Sequence, residues 1–130
     1  MFDWKKPTVQ MLGRWQPWHD GHQALFKRCA SKTGQVIIQV RDVAGASGGD
    51  GQDDNPFNWD DVCKNIEMGL ERDNFLRGVH YEIMLVPNIT NISYGRGVGY
   101  AFEEETFDDE THSISATKIR KELREKGELE

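Results

Sequence analysis

The chain has 130 residues, 22 acidic against 16 basic, with a net charge of −6 and a pI near 5.2. That length suits one domain with a single core, and the acidic balance makes the chain a poor candidate for sequence-independent binding to DNA or RNA, whose phosphates need a basic face. No apolar run reaches membrane-spanning length, no apolar stretch follows Lys5 and Lys6, and Cys29 and Cys63 form neither a disulfide framework nor a zinc pattern, so the sequence reads as a cytoplasmic protein without a signal peptide or membrane contact.

Thr8–Leu12 is a short apolar run stopped by Gly13 and reads as a buried strand. A helix follows, with Asp20 as the expected cap and Gln23 three residues on to return the bond, and with Leu25, Phe26, Cys29 and Ala30 on one face. Val36–Val40 is β-branched and reads as a parallel strand buried on both faces, which completes a strand–helix–strand unit. Residues 41–57 form a polar loop rich in glycine and aspartate. A second helix starts near Asn58. Asp60 and Asp61 favour its dipole, and Val62, Ile66, Met68, Gly69 and Leu70 are its expected packing face. Tyr81–Val86 is a third strand, Val98–Phe102 a candidate fourth, and Glu103–Asp109 a solvated acidic run. The last helix opens at Ser115, with Ile119 and Leu123 buried. Strands alternating with helices give an α/β fold, a Rossmann-like parallel sheet with flanking helices in one compact domain spanning 1–130. Such sheets bind ligands at the carboxyl ends of their strands, beside helix N-termini.

The densest signal lies at that place. Residues 13–22 read GRWQPWHDGH, and His19 and His22 stand three apart at a helix start, where both can face one ligand. Gly21 leaves room for a phosphate, and unpaired N–H groups with the positive dipole end make an anion site. A helix-start turn carrying two surface histidines is the alternative. Residues 114–120 read ISATKIR: Ser115 or Thr117 can cap the last helix, and Lys118 and Arg120 are cations where the dipole disfavours them unless an anion offsets them.

With both stretches in this order, the chain resembles the nucleotidyltransferase superfamily that carries HxGH and ISxTxxR signatures, a cytidylyltransferase-like group. It is most similar in flavour to the archaeal-type nicotinamide-mononucleotide adenylyltransferases, whose GRFQPxHxGH, NPF and SATxIR stretches are matched by Gly13–His22, Asn55–Phe57 and Ser115–Arg120. The resemblance implies attack by a phosphorylated small-molecule acceptor on the α-phosphorus of a nucleoside triphosphate, with pyrophosphate leaving. It assigns catalysis to His19, His22 and Arg14, and nucleotide binding also to Gly13, Trp15, Gln16, Gly21, Ser115, Thr117 and Arg120. Mg²⁺ would arrive with the nucleotide. Arg41, Asn55, Phe57 and Arg96 are candidates for the acceptor side, although Arg41 also suits a surface ion pair and Arg96 a glycine-rich turn.

ATP is the expected donor. CTP with a phospho-alcohol or phospho-sugar is the alternative, since the segment 87–113 is shorter than in the adenylyltransferases. Glu110-Thr111 stands where the compact cytidylyltransferases carry Arg-Thr. A non-catalytic nucleotide-binding module and a zinc module built on His19 and His22 are readings from other classes. A homodimer contact through the second helix and 88–102 is expected by analogy with relatives.

Overall fold

The computed structural model describes residues 1–43, 56–96 and 99–103. Three strands, β1 (Val9–Gly13), β2 (Val36–Arg41) and β3 (Tyr81–Val86), form a parallel sheet in the order β1-β2-β3, with α1 (Asp20–Thr33) and α2 (Trp59–Glu71) as the two crossovers. Met11 lies opposite Ile38, which lies opposite Ile83; Val36 faces Tyr81.

Both crossovers step in the same direction across the sheet. With the usual right-handed turn, that puts α1 and α2 on one face. The burial agrees. Met11, Val36, Ile38, Val40, Tyr81 and Ile83 pack with Phe26 and Cys29 of α1 and Val62, Ile66 and Leu70 of α2 in one core cluster. Each such side chain contributes about 1.5–3 kcal/mol by leaving water. β2 is therefore buried in alternation rather than on both faces as expected, because among the described residues no helix covers the second face. Ile37 and Gln39 on that face are only half-buried. Gln10 bonds Gln39 across the strands there, and Gln39 reaches the Met84 sulfur at 3.7 Å.

The α1 packing face is the expected one, with Leu25 and Ala30 partly buried beside Phe26 and Cys29. Gly34, at φ 83°, ends the helix in the left-handed conformation and donates its N–H to the Ala30 carbonyl. In α2, Asn58 caps the helix by accepting from the Asp61 N–H at 2.9 Å. Val62, Ile66, Gly69 and Leu70 are buried, but Met68 is 64% exposed, so it does not belong to the packing face. It lies off the row that Val62, Ile66 and Leu70 form at four-residue spacing.

The expected fourth strand is not formed at 99–102. Tyr100 and Phe102 are exposed, and Phe102 instead stacks on Tyr94 with ring centroids 4.7 Å apart. The acidic run beyond Glu103 and the last helix lie outside the described residues. Among the described residues no helix is long and apolar enough to cross a membrane.

Candidate active site

The link from β1 to α1 is folded back over the end of the sheet. A Cβ on Gly13 would sit 2.8 Å from the Trp15 indole, so glycine is required for that ring to close over the strand end. Trp15 itself turns the chain at φ 54° and donates its Nε1–H to the Gln39 carbonyl at 3.1 Å. The Gln16 carboxamide makes a two-point clamp on Phe57: its Nε2 donates to the carbonyl and its Oε1 accepts from the N–H, both at 2.8 Å. The Gln16–Pro17 peptide is cis. Trp18 donates to Gln23 Oε1 at 2.7 Å, and Gln23 Nε2 donates to the Gly69 carbonyl at 2.7 Å and to Asp73 Oδ2 at 2.8 Å. Lys27 pairs with the same Asp73 at 3.0 Å. The loop is thus tied to β2, to the approach to α2 and to the end of α2.

These ties fix the two histidines. His19 has extended backbone, φ −141° and ψ −178°, and is the N-cap of α1. Its Nδ1 accepts from the N–H groups of Gly21 at 3.0 Å and His22 at 3.4 Å, while His22 Nδ1 accepts from the His19 N–H at 3.3 Å. The capping box is therefore His19/His22, one residue upstream of the expected Asp20/Gln23 pair. An imidazole Nδ1 accepts as a carboxylate does, and Asp20 falls in the first helical turn, where it suits the dipole. This also corrects the expected phosphate cradle: the N–H groups of Gly21 and His22 are already held by the His19 ring.

The two rings stack, with centroids 3.6 Å apart and planes 18° from parallel. Trp15 meets His22 edge-on at 4.7 Å, and Trp18 lies 5.5 Å from it. Burial, with the His19 ring as the second cause, pushes His22 down to about 3 from an ordinary 6.5. Burial lowers His19 as well, against the opposing pull of Asp20. Both imidazoles are neutral at pH 7. Since each Nδ1 accepts a hydrogen bond, each proton sits on Nε2. The pair carries two Nε2–H groups whose tautomer is fixed by the backbone, that of His19 on the ring that lines the neighbouring cavity and that of His22 on the ring packed behind it.

His19 and Gly21 open onto a cavity of about 1710 Å³ that runs along β1 and, among the described residues, is walled on its far side by 92–96 and 99–103. Arg96 lies on that wall, so the fold brings Arg96 and His19 to one space. Arg14 is half-buried between Gly13 and the Trp15 turn. Trp15 and Gln16 are buried, and Phe57 packs against the core. Arg41, at the end of β2, lines a separate cavity of about 370 Å³ with Leu12, Ile89, Thr90, Asn91 and Ile92. Asn55, Ser115, Thr117 and Arg120 lie outside the described residues. Sequence reading missed Trp18, Gln23 and Gly69 as supports of the histidine pair. The available signal was a glycine inside an amphipathic helix, which marks a close approach: a Cβ on Gly69 would meet the Trp18 ring at 2.8 Å.

No protein-family model matches the chain. The chain is similar to the nicotinamide-nucleotide adenylyltransferase of Methanococcus aeolicus, with 22% identity over 118 residues. The similarity covers 84% of this chain and 66% of that protein, so the chain spans less than two thirds of its relative's length.

Proposed function

We propose that this protein is a nucleotidyltransferase that moves a nucleoside monophosphate, AMP from ATP in the first instance, onto a phosphorylated small molecule. The observation that carries the reading is the stacked His19–His22 pair at the start of α1, neutral and with each Nδ1 bound to backbone. An acceptor phosphate oxygen attacks the α-phosphorus, the bond to the bridging β-phosphate oxygen breaks, and pyrophosphate leaves with its electron pair. Such a transfer needs positioned donors and charge stabilisation rather than a covalent nucleophile. His19 and His22 supply the donors through Nε2–H, and because their rings are fixed beforehand no reorganisation is spent as charge develops. Arg14 and Arg96 add positive charge around the triphosphate, and Mg²⁺ enters with the nucleotide. Ser115, Thr117 and Arg120 complete the phosphate contacts. The similarity to an adenylyltransferase favours ATP over CTP.

The test is pyrophosphate release with Mg²⁺, crossing ATP, CTP, GTP and UTP with nicotinamide mononucleotide, phosphopantetheine, glycerol phosphate, phosphocholine and sugar phosphates. Release in one combination that disappears in His22→Asn is expected. Asn keeps an acceptor for the His19 N–H, so the fold is retained. Release that survives in His22→Asn at the wild-type rate overturns the role given to the histidines. Nucleotide binding with no release across the grid favours a binding module.

A further inference from the structure

The sheet ends in a second place that fits an anion, away from the histidines. Arg41 is the last residue of β2, the central strand. Side chains alternate along a strand, and Leu12 lies opposite Gln39, so Arg41 shares a face with Leu12 and Gln39, the face that α1 and α2 leave uncovered. Its Nη2 donates to the Asn88 amide oxygen at 2.7 Å. Its Nε is buried and has no hydrogen-bond partner. No carboxylate lies within ion-pair distance of it among the described residues. A guanidinium carries five N–H donors in a planar fork suited to phosphate. Here it is held by one neutral oxygen, with an orphaned donor behind it, and buried donors left unpaired are costly and uncommon.

The cavity beside it has the right walls. It is about 370 Å³, and Arg41 and Asn91 and the hydroxyl-bearing Thr90 supply polar groups against the apolar Leu12, Ile89 and Ile92. Leu12 and Ile92 also line the large cavity onto which His19 opens. The two spaces therefore adjoin across these two side chains, as donor and acceptor sites of a transfer reaction must.

We propose that Arg41 and this cavity bind the phosphomonoester of the acceptor, with Thr90 and Asn91 as further donors. This assignment rests on the transfer reading for the word acceptor. The anion site itself does not.

Methyl phosphate is the probe, titrated into the full chain and followed by its ³¹P shift. Expected is binding that weakens about tenfold or more in Arg41→Gln, the loss of a charged hydrogen-bond partner, and less in Arg41→Lys, which keeps the charge without the fork. ATP binding and melting temperature should be unchanged in both. His22→Asn should weaken ATP binding and leave methyl phosphate binding intact. If Arg41→Gln does not fold, Arg41→Lys carries the test. Methyl phosphate binding indifferent to Arg41 overturns the proposal. So does an equal loss of ATP and methyl phosphate binding on changing Arg41, which would make this residue part of the triphosphate site. The titration uses no nucleotide. Failure of the transfer reading, seen as no triphosphate binding by the unsubstituted protein, is thus distinct from failure of this site.

Discussion

Between Gly13 and Gln23 six side chains are tied into the fold: Trp15 to β2, Gln16 to Phe57, Trp18 to Gln23, Gln23 to α2, and the two histidines to backbone at the start of α1. Between Pro87 and Phe102 the opposite holds. Thr90, Ser93, Tyr94, Arg96 and Tyr100 are exposed, and the contacts are few: Asn88 with Arg41, Ser93 with Asn91, Tyr94 on Phe102. Yet both stretches wall the same cavity. One wall is fixed before any ligand arrives and presents the His19 ring, its tautomer set by the backbone, with His22 packed behind it. The other keeps its donors for whatever enters. Preorganisation belongs where charge develops in a reaction, and uncommitted polar groups belong where a substrate is recognised.

The sharpest way to break this contrast is at the histidines. His22→Ala should cut pyrophosphate release by about a thousandfold, the scale of removing a positioned transition-state donor. A melting curve should show a lowered but still cooperative transition, because the bond to the His19 N–H and the ring contacts with His19, Trp15 and Trp18 are lost while the core under the sheet is untouched. Next comes the support behind them. Gly69→Ala forces a methyl to within 2.8 Å of the buried Trp18 ring. It should destabilise by about 1–3 kcal/mol in urea, in spite of alanine's better helix propensity. Gln16→Ala leaves the Phe57 N–H and carbonyl without their partner and should cost about 2 kcal/mol in the same measurement.

The pH dependence follows from the same burial. The folded chain holds His22 near 3, so below the ordinary 6.5 the unfolded chain takes up a proton that the folded one refuses. Stability is complete above pH 6.5 and falls as the pH drops toward 3. His22→Gln should remove roughly 2 kcal/mol of the loss between pH 7 and pH 4, a figure reduced for partial exposure of the ring. The smallest effect is expected on the other wall. Tyr94→Ala, which removes an exposed stacking partner of Phe102, should change stability by less than about 0.5 kcal/mol. A larger change there would mean that the recognition wall is as fixed as the catalytic one.

Much of the fold was legible because it is written in local pattern. Tyr81–Val86 runs as a strand over the expected span, Pro87 following it, and Asn58 caps α2 where the chain leaves its loop. Trp15 and Trp18 pack, as large aromatics usually do. The errors came where a pattern has two solutions. Asp20/Gln23 and His19/His22 are both capping pairs at three-residue spacing, and only backbone geometry chooses between them. Tyr100 and Phe102 alternate like a strand, but an isolated alternation does not supply the neighbour that a strand must bond.

By itself the sequence determined that strands and helices alternate, that they form a parallel sheet, and that His19 and His22 stand at a helix start beside a strand end. These follow from periodicities and turn residues a few positions apart. The tertiary structure decided what depends on distant partners. It put α1 and α2 on one face, because two like-handed crossovers stepped the same way. It fixed the protons of both histidines on Nε2, because backbone N–H groups occupy Nδ1. It brought Gly69 of α2 under Trp18, 51 positions earlier in the sequence, and left the Arg41 guanidinium unmatched beside a cavity. Hydrogen-bond complementarity and burial are properties of neighbours in space, and the order of residues along the chain does not state who those neighbours are.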